Sequence, residues 1–285
     1  MSHSNAGFHH IKIGDITVTA LNDGLFEAST AYLLGIEPAE AEAQLRAGYR
    51  TVPPVFTVNT FLIQTGSHVA LVDTGAAKVM GPTLGLLPDR LAAIGVDAAS
   101  IDTVLLTHLH GDHVAGLADT DGAALFPNAK LVMSAAEAGF WLDEEVAAKA
   151  PDAAKSSFAL ARKMTAPYRD RITLATEGDV LPGVAITALP GHTPGHSGFL
   201  VTSGSASLLI WGDIVHVPAL QFAHPEIGLR FDSDPALAKT TRERAFDMAA
   251  TDKIMVAGMH LDFPAFGNVV RAGSAYGYVP AQWQT

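Results

Sequence analysis

Residues 107–113 read Thr-His-Leu-His-Gly-Asp-His, directly after the short apolar run 103–106. Four potential metal ligands within six residues, at the end of a buried type of strand, call for a sheet whose edge collects polar side chains. In an extended segment residues two apart share a face, so His108 and His110 can converge on one ion. As the chain turns into a helix, Asp112 and His113 can reach a second position nearby. A solvated histidine-rich loop or a tag would not alternate with Leu109 and Gly111 inside a core pattern. Three later residues stand in matching places. His192 lies in a rigid Pro-Gly-His-Thr-Pro-Gly-His turn, Asp213 follows the apolar run 208–211, and His260 follows 254–256. A lone histidine at a strand end is ordinarily a hydrogen-bonded structural residue. Three such residues together with the cluster read as ligands gathered along one sheet edge.

Composition then narrows the chemistry. The 285-residue chain has no cysteine, which excludes disulfides, thiolate zinc sites, iron–sulfur clusters and cysteine nucleophiles together. Any metal is held by imidazole and carboxylate, donors that suit zinc and also iron, manganese or cobalt. The net charge is −11 and no three basic residues stand together. Nucleic-acid binding draws on clustered Lys and Arg, so no nucleic-acid partner is expected. Residues 180–212 contain no Asp, Glu, Lys or Arg, a length that would cross a bilayer. Pro182, Pro190 and Pro194 interrupt that run along with several glycines, so it reads as buried strands with turns, and no membrane partner is expected. The first residues lack a basic region followed by an apolar run, which predicts a cytoplasmic protein.

The rest of the chain alternates strand-like runs with alanine-rich helical stretches. It shows no internal repeat and no linker, so residues 8–280 are expected to form one domain. Residues 16–21 alternate like a half-buried strand, and 58–64 with 69–72 read as a hairpin. Further short strands are expected at 130–133, 172–174, 184–189, 198–201, 207–211 and 254–256. Helices are expected at 38–47, 88–94, from Ser134 through Trp141, at 152–164 and from Pro235 to about residue 250. Ser134 and Glu137 have the spacing of a capping box. Asp234-Pro235 supplies an N-cap and a first-turn proline. Two runs of strands interleaved with helices predict packed sheets beneath outer helices.

His-x-His-x-Asp-His at 108–113, Gly191-His192, Gly212-Asp213 and the late His260 together resemble the signature of the metallo-β-lactamase superfamily, across residues 8–280. The resemblance implies an α/β fold, an αββα sandwich of two mixed β-sheets with helices outside and the ligands on one edge. It implies two divalent ions, zinc being the expected metal. His108, His110 and His192 would hold one, Asp112, His113 and His260 the other, and Asp213 would be shared. Histidine at 110 departs from the redox flavo-di-iron branch, which has a carboxylate there. Asp213 departs from the antibiotic-degrading enzymes. Glyoxalase II shares all seven ligands but adds a longer helical C-terminal region, and the RNA-processing branches carry an inserted domain for which this chain has no room.

Outside the ligands, Phe61-Leu62, Val72 to Ala76, Phe126 to Ala129, Phe140 to Leu142, Trp211 to Val215, Phe231 to Asp234 and His260 to Pro264 resemble the methyl parathion hydrolase group. That group includes organophosphate hydrolases, lactonases and aryl esterases, and it implies a homodimer. Paired divalent ions acidify water enough for attack on a carbonyl carbon or phosphorus at neutral pH. No side-chain nucleophile is needed, in keeping with the absence of Gly-x-Ser-x-Gly. The expected activity is hydrolysis of lactones and esters, with organophosphate triesters as the lesser substrates. The alternatives are organophosphate hydrolysis as the main activity, a glyoxalase II-like thioesterase, or a nuclease.

The resemblance also places Trp141 and Phe158 on helices at the mouth of an apolar pocket, with Phe231 across from them. Such a pocket suits an apolar small molecule. Asp73 either holds a ligand histidine or caps its Asp-Thr-Gly turn, and His196 reads as a hydrogen-bonded turn residue. His216, three residues after Asp213, occupies the spacing of a tyrosine in the N-acyl-homoserine lactonases. It is read as catalytic, donating to a lactone carbonyl or a departing alkoxide from a pKa near 6.5. The plain alternative is a strand-end histidine bonded to backbone.

Overall fold

In the computed structural model, which describes residues 5–283, the strands form two seven-stranded mixed sheets. Numbered along the chain, the strands of the first sheet are β1 (Phe8–Ile13), β2 (Ile16–Glu27), β4 (Val55–Gln64), β5 (Val69–Val72), β6 (Thr103–Leu105), β7 (Lys130–Ser134) and β8 (Ile172–Ala175), adjacent in that order. Pairing is antiparallel as far as β5 and parallel from β5 to β8. The second sheet runs β16 (Ala275–Pro280), β15 (Phe266–Ala272), β14 (Met255–Ala257), β12 (Ala206–Ile210), β11 (Ser197–Ser203), β10 (Val184–Ala188) and β9 (Gly178–Leu181). Its one parallel pair is β12 with β14. A two-strand patch, β3 (Leu33–Leu34) with β13 (Gly228–Leu229), ties two connecting segments together.

The period-two rule decides which side chains make which layer. Phe61 and Ile63 of β4, Val72 of β5, Leu105 of β6 and Val132 of β7 face the second sheet, where they meet Phe199, Val201, Leu208 and Ile210. Their neighbours Leu62, Leu71, Val104 and Leu131 face outward and pack under the helices Leu87–Ala93, Ala135–Trp141 and Asp152–Thr165. The helix Pro235–Asp252 lies against the second sheet through Ala245, Phe246 and Ala249. Two mixed sheets flanked by helices are the αββα arrangement that the sequence leads one to expect.

The uncharged stretch 180–212 forms β10, β11 and β12. Among the described residues no helix is long and apolar enough to cross a membrane. The expected helices form, with ends within about two residues of the expected ones. Asp234 caps its helix by accepting from the Leu237 N–H at 3.0 Å. The capping box at Ser134 forms only by half. Ser134 Oγ accepts from the Glu137 N–H at 3.0 Å, but the Glu137 carboxylate turns inward to other partners.

Candidate metal centre

The first cluster leaves the sheet at the end of β6, and its geometry is set by a neighbour strand. Asp73 follows β5 and is fully buried. Its carboxylate accepts from the Thr107 N–H at 2.8 Å, from Thr107 Oγ1 at 2.7 Å and from His113 Nδ1 at 2.7 Å. Asp73 therefore holds a histidine of the cluster, the first of the two readings its sequence context allows. His192 is held in the same manner, its Nδ1 donating to Asp232 Oδ1 at 2.8 Å. The other Asp232 oxygen accepts from the Leu229 N–H at 2.9 Å. His260 Nδ1 donates to the Thr57 carbonyl at 2.7 Å. In all three rings Nδ1 carries a proton, so it is Nε2 that faces the cluster and would meet a metal ion.

Asp213 follows β12 through Gly212, whose φ is 60°. A β-carbon on Gly212 would stand 2.4 Å from His196 Nε2, so the turn needs glycine. His196 donates to the Leu189 carbonyl at 2.7 Å and accepts from the Asp213 N–H at 2.9 Å. It is a hydrogen-bonded turn residue, as read from the sequence, and it orients the backbone of Asp213.

These elements bring the seven expected residues, and His216 with them, into one cluster about Asp213. Asp213 Oδ2 lies 3.0 Å from His216 Nε2, 3.2 Å from His260 Nε2, 3.3 Å from both His113 Nε2 and His192 Nε2, and 3.6 Å from His108 Nε2. His110 Nδ1 is 3.0 Å from both His108 Nε2 and His192 Nε2. Asp112 Oδ2 is 3.4 Å from His260 Nε2 and 3.6 Å from His113 Nε2. The donor atoms form tight groups that include His108, His110 and His192, and Asp112, His113 and His260.

Several imidazole lone pairs aimed at each other and at a carboxylate repel unless a cation or protons lie among them. Two atoms show the deficit directly: His113 Nε2 and Asp213 Oδ1 are buried without a hydrogen-bond partner, an arrangement that ordinarily costs about 1–3 kcal/mol for each group. Neutral imidazole and carboxylate are also the donors that zinc and related divalent ions take. The residues fit a divalent metal centre.

Protons are distributed accordingly. Burial opposes charge on His113, yet the carboxylates of Asp213, Asp112 and Asp73 outweigh it and hold its pKa well above the ordinary histidine range. Burial and the neighbouring His192 push His110 down to about 3, so that ring is neutral. Burial would raise the Asp213 pKa, but His113, His260 and His216 keep it well below the usual carboxylate range. Burial, only partly offset by Asp213, brings His216 down to about 4. At neutral pH His216 is therefore a neutral hydrogen-bonding ring, not the partly charged acid that a pKa near 6.5 would make it.

The centre forms the floor of a cavity of about 460 Å³. His110, Asp112, His192, Asp213, His216 and His260 reach it from below, and Phe26, Tyr32, Phe56, Val79, Met80, Leu160 and Phe231 form most of its walls, with Glu27 and Ser157 as the polar members. Among the described residues that line it there is no Lys or Arg. Phe231 is 48% exposed and meets Tyr32 edge-on, ring centres 5.0 Å apart, at the rim. Trp141 and Phe158 are not at the mouth, contrary to the expectation from sequence. Each is only 4% exposed. Their rings meet at a tilt, centres 4.6 Å apart, in the layer beneath the outer helices, where Trp141 meets the His110 ring edge-on at 5.4 Å. Their helices present an apolar stripe to the sheet, and the large rings complete that layer. The wall positions Tyr32, Val79 and Met80 carry no signal in the sequence beyond being apolar in turn-rich segments.

A sequence profile of the Metallo-beta-lactamase superfamily matches residues 53–260. The chain belongs to that superfamily. A crystal structure of hydrolase AbOPH, of the beta lactamase superfamily, superposes with a TM-score of 0.94 at 34% identity, covering 99% of this chain and 100% of that one. The structure of AidC, a dizinc quorum-quenching lactonase in complex with a product, superposes with a TM-score of 0.91 at 24% identity over 98% of this chain and 99% of its own. That likeness is one of fold. An N-acyl homoserine lactonase of Bacillus sp is 27% identical over 202 residues, 64% of this chain and 73% of its own length. A ribonuclease Z of Mycobacterium marinum is 34% identical over 170 residues, 56% of this chain and 57% of its own. The superfamily and the clustered donors of this chain imply divalent metal ions and a hydrolase. With a ribonuclease among the relatives, family membership does not by itself exclude a nucleic-acid substrate.

Proposed function

We propose that the protein is a dinuclear metal-dependent hydrolase of lactones and aryl esters, with phosphotriesters as lesser substrates. His108, His110 and His192 would hold one ion, Asp112, His113 and His260 the other, with Asp213 shared. The ions are proposed as zinc, and iron, manganese or cobalt suit the same donors. When bound, such ions supply an acidified water and stabilise developing negative charge on oxygen. The chain's own part is to fix the ligands through Asp73, Asp232 and the Thr57 carbonyl, and to enclose the substrate in an apolar space. His216, on the cavity floor, would turn the Nε2–H that stands 3.0 Å from Asp213 Oδ2 toward the reacting oxygen once Asp213 binds a metal ion.

The observation that carries this reading is the charge pattern of the cavity: a metal-ready floor beneath mainly aromatic and aliphatic walls that carry one carboxylate, Glu27, and no cation. A phosphodiester keeps its negative charge and calls for Arg or Lys beside the metals, whereas lactones, aryl esters and phosphotriesters are neutral. The 27% identical N-acyl homoserine lactonase supports the lactone choice. The test is a panel of a lactone, an aryl ester, a phosphotriester and a phosphodiester on metal-loaded protein. The lactone or the ester should be turned over with the highest kcat/KM. Preference for the phosphodiester would overturn the reading, and preference for the phosphotriester would reverse its order of substrates.

A further inference from the structure

Glu137 is a fully buried carboxylate on the helix Ala135–Trp141, an element that offers no metal ligand. Its Oε1 accepts from the Leu109 N–H at 2.9 Å. Its Oε2 accepts from Thr193 Oγ1 at 2.6 Å and from the Gly195 N–H at 3.0 Å. Leu109 stands between His108 and His110, and Thr193 follows His192. One side chain therefore binds both segments that carry the three imidazoles of the first donor group, although they lie more than eighty residues apart in sequence. The contact is reinforced at the helix start, where Ser134 Oγ donates to the Gly195 carbonyl at 2.7 Å. Gly195 lies so close that a β-carbon there would stand 2.0 Å from the Glu137 nitrogen.

The other donor group is held differently. Asp73 and the Thr57 carbonyl hold the His113 and His260 rings directly, and neither touches Glu137, although Asp73 also accepts from Thr107 beside His108. We propose that Glu137 is a positioning residue for one half of the centre, joining the two backbone segments that carry His108, His110 and His192 where Asp232 and Asp73 hold only one segment each, and so setting the affinity of that half for a divalent ion. This rests on the reading that those three residues form one metal site. Three donors meet two carboxylate oxygens, so both must accept. Glutamine keeps the size but sets an N–H₂ against one or two of those donors. Losing partners of this kind lowers metal affinity by about 10–100-fold in comparable sites.

The experiment uses Co²⁺ as probe and two backgrounds, each with one donor group broken. His260→Ala leaves the first group intact, and His110→Ala leaves the second. Cobalt affinity is read from visible absorption by competition with a chelator, and the melting temperature of the metal-free proteins is recorded beside it. Adding Glu137→Gln should weaken Co²⁺ binding about 10-fold or more in the His260→Ala background, and by less than about twofold in the His110→Ala background. Equal weakening in both backgrounds, or none in the first, overturns the proposal. Should Glu137→Gln not fold, Thr193→Val removes a single donor and decides the matter by the same comparison, weakening only the first group. If His260→Ala itself binds no Co²⁺, the metal reading fails and takes this proposal with it. If it binds and Glu137→Gln changes nothing, this proposal alone fails.

Discussion

The ligand residues were legible in the sequence because coordination chemistry restricts residue type. In a chain without cysteine only His, Asp and Glu serve, and seven of them in strand-end contexts stand out. Of the residues that hold the ligands, only Asp73 was legible, as one of two readings of its turn. Asp232 and Glu137 look like any acidic residue beside a turn or in a first helical turn, until folding brings a particular N–H to the carboxylate. Two outcomes are expected at this scale. Asp213→Ala should lower turnover by more than about 10²-fold, because the shared ligand contributes more than the outer partners whose loss costs 10–100-fold. The fold should survive, since the residue lies at the sheet edge, and circular dichroism checks this. Near-native kcat in that variant would refute the shared role. His216→Leu should reduce lactone turnover by about 10²-fold, the loss typical of one oxyanion donor, and leave a nitrophenyl phosphotriester unaffected, because nitrophenolate leaves unaided. A parallel fall in both substrates, or in neither, would place His216 in a structural role.

Helices could be read closely because their starts are chemically marked, Asp234-Pro235 and Ser134 among them. Strands with alternating patterns were also plain. The outer strands β15 and β16 were not, since Phe266–Ala272 and Ala275–Pro280 mix glycine, arginine and tyrosine without clear alternation. The misplacement of Trp141 and Phe158 has the same origin: an apolar stripe on a helix shows that a face is buried, not which neighbour covers it. Burial changes what substitution should do. Trp141→Ala is expected to cost about 3–5 kcal/mol of stability and to affect small and bulky substrates alike, through His110. Phe231→Ala should leave stability within about 0.5 kcal/mol, as for most surface changes, and raise KM most for bulky aryl substrates. Denaturant titration and a substrate size series separate the two, and a size-dependent KM in Trp141→Ala would return that residue to the pocket.

At the scale of the molecule, the sequence yields two layers of strands but not how they meet. That emerges only from the register, with the first sheet delivering residues 108–113 and the second delivering His192, Asp213 and His260 to one edge. Metal bound there joins the two sheets, so its free energy adds to the stability of the whole fold. At metal concentrations 100-fold above Kd each site contributes about 2.7 kcal/mol. A chelator should lower the melting temperature by several degrees, and Zn²⁺ should restore it. A melting curve indifferent to both would show that the two sheets do not depend on the centre.

Tyr32, Val79 and Met80 line the rim from connecting segments that carry none of the seven ligands. The consequence is evolutionary: a descendant can exchange its diet of substrates by single substitutions at these positions while its reaction chemistry is inherited unchanged. Lineages sharing this floor should then diverge fastest in the segments around residues 32 and 80, and paralogues that keep all seven ligands should differ mainly in what they admit.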